Sequence, residues 1–202
     1  MMRDMSPAER TSGRRRDSRA DAAIIDAVLD LVSDGATLSG LSLVTIAKTA
    51  GVSRNSIYRR WKTKDALYLD VLASINRNLP DLPGRSARED VATLLAALIE
   101  RVLDKRASHI LRALNAEADA FPELHKRYFD EILAPRRDAM QRALRRGIAS
   151  GEIRADIDPG MLSDVLVSPV LARMASGNTD DLDPGQTSRN VVALVFAGAE
   201  PR

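Results

Sequence analysis

The stretch LSLVTIAKTAGVSRNSIYRRWKTKDAL, from Leu41 to Leu67, leaves this chain few folds to choose from. It reads as two short helices around a tight turn, followed by the start of a third. Ser42 is placed to cap the first helix, because its hydroxyl can accept an otherwise unpaired N–H one turn in. Leu43, Ile46 and Ala47 then fall at i, i+3 and i+4 and make one apolar stripe. Ala50-Gly51 ends that helix, since glycine enters the left-handed conformation at low cost. Val52 supplies an apolar plug for the turn, and Ser53 is set to cap a second helix from Arg54 to Trp61. Ile57 and Trp61, at i and i+4, face back onto the first helix. The opposite face carries Arg54, Asn55, Ser56, Tyr58, Arg59 and Arg60.

That outward face holds hydrogen-bond donors, one aromatic hydroxyl and no acid. Two short helices, a glycine turn and a basic second helix describe a helix-turn-helix, with Arg54 to Trp61 as the reading helix. Residue by residue, an ordinary helical hairpin with a solvated basic face would serve as well. The combination favours DNA binding.

IAKTAGVSRNSIYRRWKTKDAL resembles the DNA-binding signature of the TetR (tetracycline repressor) family of bacterial regulators. The match is to the branch reading I-A-x-x-A-G-V-S-x-x-T-I-Y-R-R-W-x-S-K-x-A-L. It runs through Ile46, Ala47, Ala50 to Ser53, Ile57 to Trp61, Lys64, Ala66 and Leu67, with Ser56 and Thr63 exchanging the two hydroxyl residues. The later segment FPELHKRYFDEILAPRRDAMQRAL resembles that branch's C-terminal domain more loosely. The resemblance implies an all-α protein, a DNA-binding head and a helical body. That body would hold an inducer pocket and dimerise through its last two long helices. The chain departs from the branch at Leu171-Ala172, where aromatic residues are common after the proline.

Bulk composition agrees with such a protein. Residues 1–64 hold 12 Lys and Arg against 7 acids, a balance of +5. The whole chain is only +2, so the remaining 138 residues carry −3. A basic third on a slightly acidic body is the charge distribution of a DNA-binding head. Aromatics are 3% of 202 residues, so the core must be Leu, Ile, Val and Ala, which suits helices. The chain has no cysteine, which excludes disulfides, thiolate metal sites and a cysteine nucleophile, and permits the cytosol. MMRDMSPAER has no apolar core of a signal peptide, and no apolar run is long enough to span a bilayer. The expected location is therefore the cytoplasm, without membrane contact.

In chain order, residues 1–17 read as a flexible basic arm around Arg14-Arg15-Arg16, able to reach phosphates or a minor groove, or merely a solvated tail. Residues 18–64 read as the helix-turn-helix domain. Its first helix is capped at Ser18, runs to Ser33, and carries Ile24, Ile25, Val28, Leu29 and Val32 on one stripe. Residues 65–202 read as the ligand-binding and dimerisation domain. A helix capped by Thr63 is expected to reach Asn78 before Pro80, and one from Ser86 to Asp104 is amphipathic. Another is expected from Ser108 to Asp119. Pro122 opens the next, which Pro135 should kink or split before Gly151 ends it. Asp158-Pro159 starts a helix to Ser176 with Pro169 inside, and the last spans about Pro184 to Gly198. No strand-like alternation and no repeat appears.

Chemistry is sparse in the body. His109 and His125 are isolated, and no phosphate loop or nucleophile elbow is present. No catalytic residue, metal site or cofactor is expected. Kinked helices with aliphatic and aromatic lining can instead hold a small, largely apolar ligand. Leu98, Leu114, Phe121, Leu124, Tyr128, Ile132 and Leu166 are the candidate lining, although each alone also suits a plain core.

The reading that follows is a homodimeric regulator, a repressor released from a palindromic operator by such a ligand. Two alternatives stay open: a constitutive regulator without inducer, and a helical enzyme or carrier with an incidental basic hairpin. In the DNA reading, Arg54, Asn55 and Ser56 face base edges. Tyr58, Arg59, Lys62, Lys64 and Ser42 grip phosphates, and Ser53 sits at the turn beside them.

Overall fold

The computed structural model describes residues 7–199, with side chains from Ser18 to Gly198. Ten α-helices and one π-helical turn are present among them. They are α1 Pro7–Ser33, α2 Leu43–Thr49, α3 Arg54–Arg60, α4 Lys64–Ser74, α5 Ala87–Leu103, α6 Lys105–Ala116, α7 Pro122–Arg127, α8 Ala134–Ser150, α9 Pro159–Ser176 and α10 Pro184–Ala199, with the π turn Tyr128–Leu133 between α7 and α8. No strand occurs among the described residues.

Local chemistry sets most of the starts. Ser42, Ser53, Thr63, Ser86 and Asp158 each accept a backbone N–H from the first turn of the helix they precede. Asp104 does the same for α6, which therefore starts at Lys105, ahead of the expected Ser108. Gly51 takes φ 64°, a left-handed value that lets the chain reverse between α2 and α3.

Pro135 explains the division of the long segment after Pro122. It has no N–H, and its ring would clash with the carbonyl one turn back. The π turn Tyr128–Leu133 takes up the extra residue just before it, so α7 and α8 continue one another with a local widening.

Two expectations are corrected. The first helix starts at Pro7, so the backbone is helical within the segment expected to be a flexible arm. Ser18 therefore lies inside the helix and not at its N-terminus. Met1 to Ser6 and the side chains of Arg14 to Arg16 lie outside the described residues. Second, α4 stops at Ser74 and not at Asn78. Leu79, beyond its end, is exposed.

One apolar core runs through the molecule. In the head, Ile24, Val28, Leu38, Ile46, Ile57 and Trp61 enclose the helix-turn-helix. Through Leu67, Tyr68, Val71 and Leu72 of α4 it continues into Leu95, Ile99, Leu114, Leu144 and Leu166 of the body. α10 packs mainly on α5, while α1 packs on α6 as well as on α2 and α4.

Candidate nucleic-acid interface

The interface is built on α3, whose inner side is anchored by Ile57, fully buried. Arg54, Asn55, Tyr58 and Arg59 are exposed on the outer side. Arg54 lies 5.5 Å from the Tyr58 ring and donates to its hydroxyl at 3.3 Å, so the two side chains stand as one stacked unit. Ser56 is half-buried; its N–H donates to the Ser53 hydroxyl at 3.2 Å and the two hydroxyls lie 2.9 Å apart. Its oxygen therefore belongs to the cap of α3. Ser42 and Lys62 are exposed at the two ends of the unit.

Two cations turn inward. Arg60, grouped by the sequence with the outer face, pairs with Asp21 of α1 and donates to the Ser56 carbonyl at 2.9 Å. It pins the reading helix to α1. Lys64 donates to the Ser39 carbonyl at 3.2 Å and lies 5.7 Å from the Tyr68 ring. Trp61 is buried and its indole N–H donates to Asp70 at 2.7 Å, which fixes the end of α3 against α4.

A feature invisible in the sequence ties this head to the body. Glu117, at the end of α6, accepts the backbone N–H of Leu38 at 2.6 Å and of Ser39 at 2.9 Å. Tyr68 of α4 donates to the Leu38 carbonyl at 2.7 Å. The α1–α2 loop is thus held by its amides from the body and by its carbonyls from α4. Burial alone would raise the Glu117 carboxyl, but the hydrogen bonds from Ser39 and Leu38 and the Lys64 charge bring it below the usual range. The contribution of this latch is present at neutral pH and is lost only as pH falls through that lowered value.

Behind the latch, Val32, Ser33, Thr37, His109, Arg112 and Glu117 line an open cleft of about 320 Å³. None of the seven residues expected to line a ligand site borders it. Leu114, Leu124, Tyr128 and Leu166 are instead buried in the body core, and Leu98, Phe121 and Ile132 are packed against it, half-buried. His125 stacks near Phe129, 4.7 Å between ring centres. Among the described residues, no three His, Cys, Asp or Glu side chains are grouped to hold a metal ion. No helix of the described residues is long and apolar enough to cross a membrane.

Comparison with known proteins agrees with this architecture. The family model for the tetracycline-repressor-like C-terminal domain matches residues 82–195, and that for bacterial regulatory proteins of the tetR family matches residues 24–71. The chain is 29% identical over 192 residues to the HTH-type transcriptional regulator YdeS of Bacillus subtilis, with 93% of each chain covered. It is 25% identical over 190 residues to the DNA-binding transcriptional repressor TetR of Mycobacteroides abscessus, covering 90% of this chain and 96% of that one. Among solved structures, a TetR-family regulator from Rhodococcus sp. shares the fold with a TM-score of 0.72 at 21% identity, over 90% of this chain and 98% of that one. The transcriptional regulator FadR from Bacillus subtilis, solved in complex with stearoyl-CoA, shares it with a TM-score of 0.69 at 19% identity, over 89% and 99%. The helix-turn-helix geometry and the two family models together establish that the chain belongs to the TetR family of bacterial transcription regulators, DNA-binding proteins and not enzymes.

Proposed function

We propose that the protein is a cytoplasmic, homodimeric repressor, released from a near-palindromic operator when a small ligand enters its body. The observation that carries the DNA reading is the outer side of α3, with Arg54, Asn55, Tyr58 and Arg59 exposed and no acid among them. Arg54 and Asn55 are assigned to base edges, since arginine suits guanine and asparagine suits adenine in two-bond contacts. Ser56 stands beside them and shares its hydroxyl with the cap. Tyr58, Arg59, Lys62 and Ser42 are assigned to phosphates, with Lys64 contributing charge from its place beside Ser39.

Support for a dimer comes from the last two helices. Met161, Val165, Pro169 and Ala172 are exposed at i, i+4, i+8 and i+11 along α9, and Leu194 is 78% exposed on α10 beside Ala193, Ala197 and Gly198. A single chain has no reason to leave that stripe in water. Two copies packed on it supply the two heads that a two-half-site operator requires.

Support for ligand control comes from α4. It starts one turn after α3 and packs on α1, α6, α7 and the π turn, so a change in the body moves the reading head. The family's repressor relatives, and the stearoyl-CoA held by the FadR structure, point the same way. The test is reciprocal titration. A bound ligand should lower operator affinity roughly 5- to 150-fold, and operator should lower ligand affinity by the same factor. Equal ligand affinity with and without operator would leave only the constitutive reading.

A further inference from the structure

Arg101 lies on α5 and turns into the body. Its Nε is fully enclosed and meets no acceptor, and no carboxylate pairs with the guanidinium among the described residues. Arg136, at the start of α8, is half-buried and near enough for its charge to bear on Arg101. No acid pairs with Arg136 either; it donates to the carbonyls of Asn76 at 2.6 Å and Asn78 at 3.0 Å, just past the end of α4. Tyr128 is buried against both cations, and Asn76 adds a side-chain oxygen that is enclosed and unpartnered.

Removing a guanidinium from water without a counter-charge is costly. Burial, and then the neighbouring Arg136, pull the Arg101 guanidinium down to about 10. Burial also lowers Arg136, and raises the Tyr128 hydroxyl against the opposing pull of Arg101, Asn76 and Arg136. Bonds to the Asn76 and Asn78 carbonyls account for Arg136. No acceptor or counter-charge among the described residues accounts for Arg101.

The surroundings suggest what completes the site. Leu98 lies one turn before Arg101 on α5, and Ile132 lies about one turn from both Tyr128 and Arg136. Both leucine and isoleucine are half-buried, so apolar surface borders the cationic pair. We propose that Arg101 and Arg136, with the Tyr128 hydroxyl, receive the carboxylate of an organic acid whose apolar part lies beside Leu98 and Ile132. This rests on the reading of the body as a ligand-binding domain, and it changes the expected ligand from a largely apolar molecule to an amphipathic anion. A planar carboxylate accepts two parallel hydrogen bonds from a guanidinium fork. Because Arg136 also holds the carbonyls past α4, occupancy of the site is linked to the helix that leads to the head.

The experiment is calorimetric titration and thermal unfolding of the full-length protein with hexanoate, decanoate and phenylacetate. Their neutral amides and decyl phosphate serve as comparisons. At least one carboxylate should bind ten times or more tighter than its amide and raise the melting temperature. Arg101→Met should lower that affinity tenfold or more while the free protein melts at the same or a higher temperature, since a buried unpaired charge has gone. Arg101→Lys should fall between the two, and Arg137→Met, at an exposed arginine next to Arg136 on α8, should bind like the parent. Amides that bind as tightly as the acids and release DNA would overturn the carboxylate site but leave ligand control standing. Tighter binding of decyl phosphate would overturn the carboxylate assignment in favour of a phosphate ester. A higher-melting Arg101→Met protein, with no acid bound by the parent, would make Arg101 only a buried cation and overturn the inference without bearing on DNA binding.

Discussion

Placing glutamate at both Met161 and Leu194 should leave a folded single chain that binds a two-half-site duplex about 10²- to 10⁴-fold more weakly. The two side chains are 65% and 78% exposed, so neither change enters the core of the chain. Each puts a charge on the apolar stripe of α9 and α10, where a second copy would have to bury it. One reading helix of two turns spans few base pairs, and a dimer gains by making the second half-site contact intramolecular. The heads must then sit about 34–36 Å apart, or a multiple of that, to meet successive faces of the duplex. Sedimentation should show the parent at twice the mass of the double variant, and a duplex with one half-site should bind both proteins equally weakly. A double variant that sediments as a monomer yet keeps full affinity would place the source of specificity elsewhere.

Trp61→Ala should cost about 3–5 kcal/mol of stability, a large share of the roughly 5–15 kcal/mol typical of a folded domain. The indole is 6% exposed and fills the space between the end of α3 and α4, so its removal leaves a cavity at the joint between head and body. The cost should come mainly from lost burial. Asp70, which accepts the indole N–H, is exposed and can turn to water. Trp61→Phe therefore retains most of the packing and should lose only about 1 kcal/mol. Urea unfolding followed by circular dichroism separates the two variants. An alanine variant within 1 kcal/mol of the parent would mean that the head is not anchored through this residue.

The helix-turn-helix was legible because its determinants are local. Ser42, Ser53 and Thr63 cap within three residues, and Gly51 reverses the chain by itself. The helix starts at Pro122 and Asp158, and the interruption at Pro135, follow from proline and aspartate acting on their own neighbours. What depends on distant partners was not legible. Glu117 reaches the α1–α2 loop across 79 and 78 positions, and nothing beside it in sequence signals a cap on another segment. Arg60 looked like part of the outer face because its partner, Asp21, is 39 residues away. Nothing in the sequence singled out Arg101; α8 packs on α5, and the Arg101 Nε is enclosed without an acceptor. The end of α4 was set too late for the same reason. An apolar residue such as Leu79 extends a helix only where a neighbour offers it cover.

The central claim is that α3 reads base sequence twice, once in each half of a symmetric site. Selection of bound duplexes from a random pool, run in parallel with the parent, Asn55→Ala and Lys62→Ala proteins, tests it most directly. The parent should enrich a near-palindrome. Asn55→Ala should enrich one with altered or relaxed preference at the same position of each half, at a cost of about 1–3 kcal/mol on the parent's site. Lys62→Ala should recover the parent's sequence with weaker binding overall and a salt dependence shallower by about 1 per half-site. Enrichment of the same sequence by the Asn55→Ala protein as by the parent, or no symmetric sequence from any of the three, would contradict it.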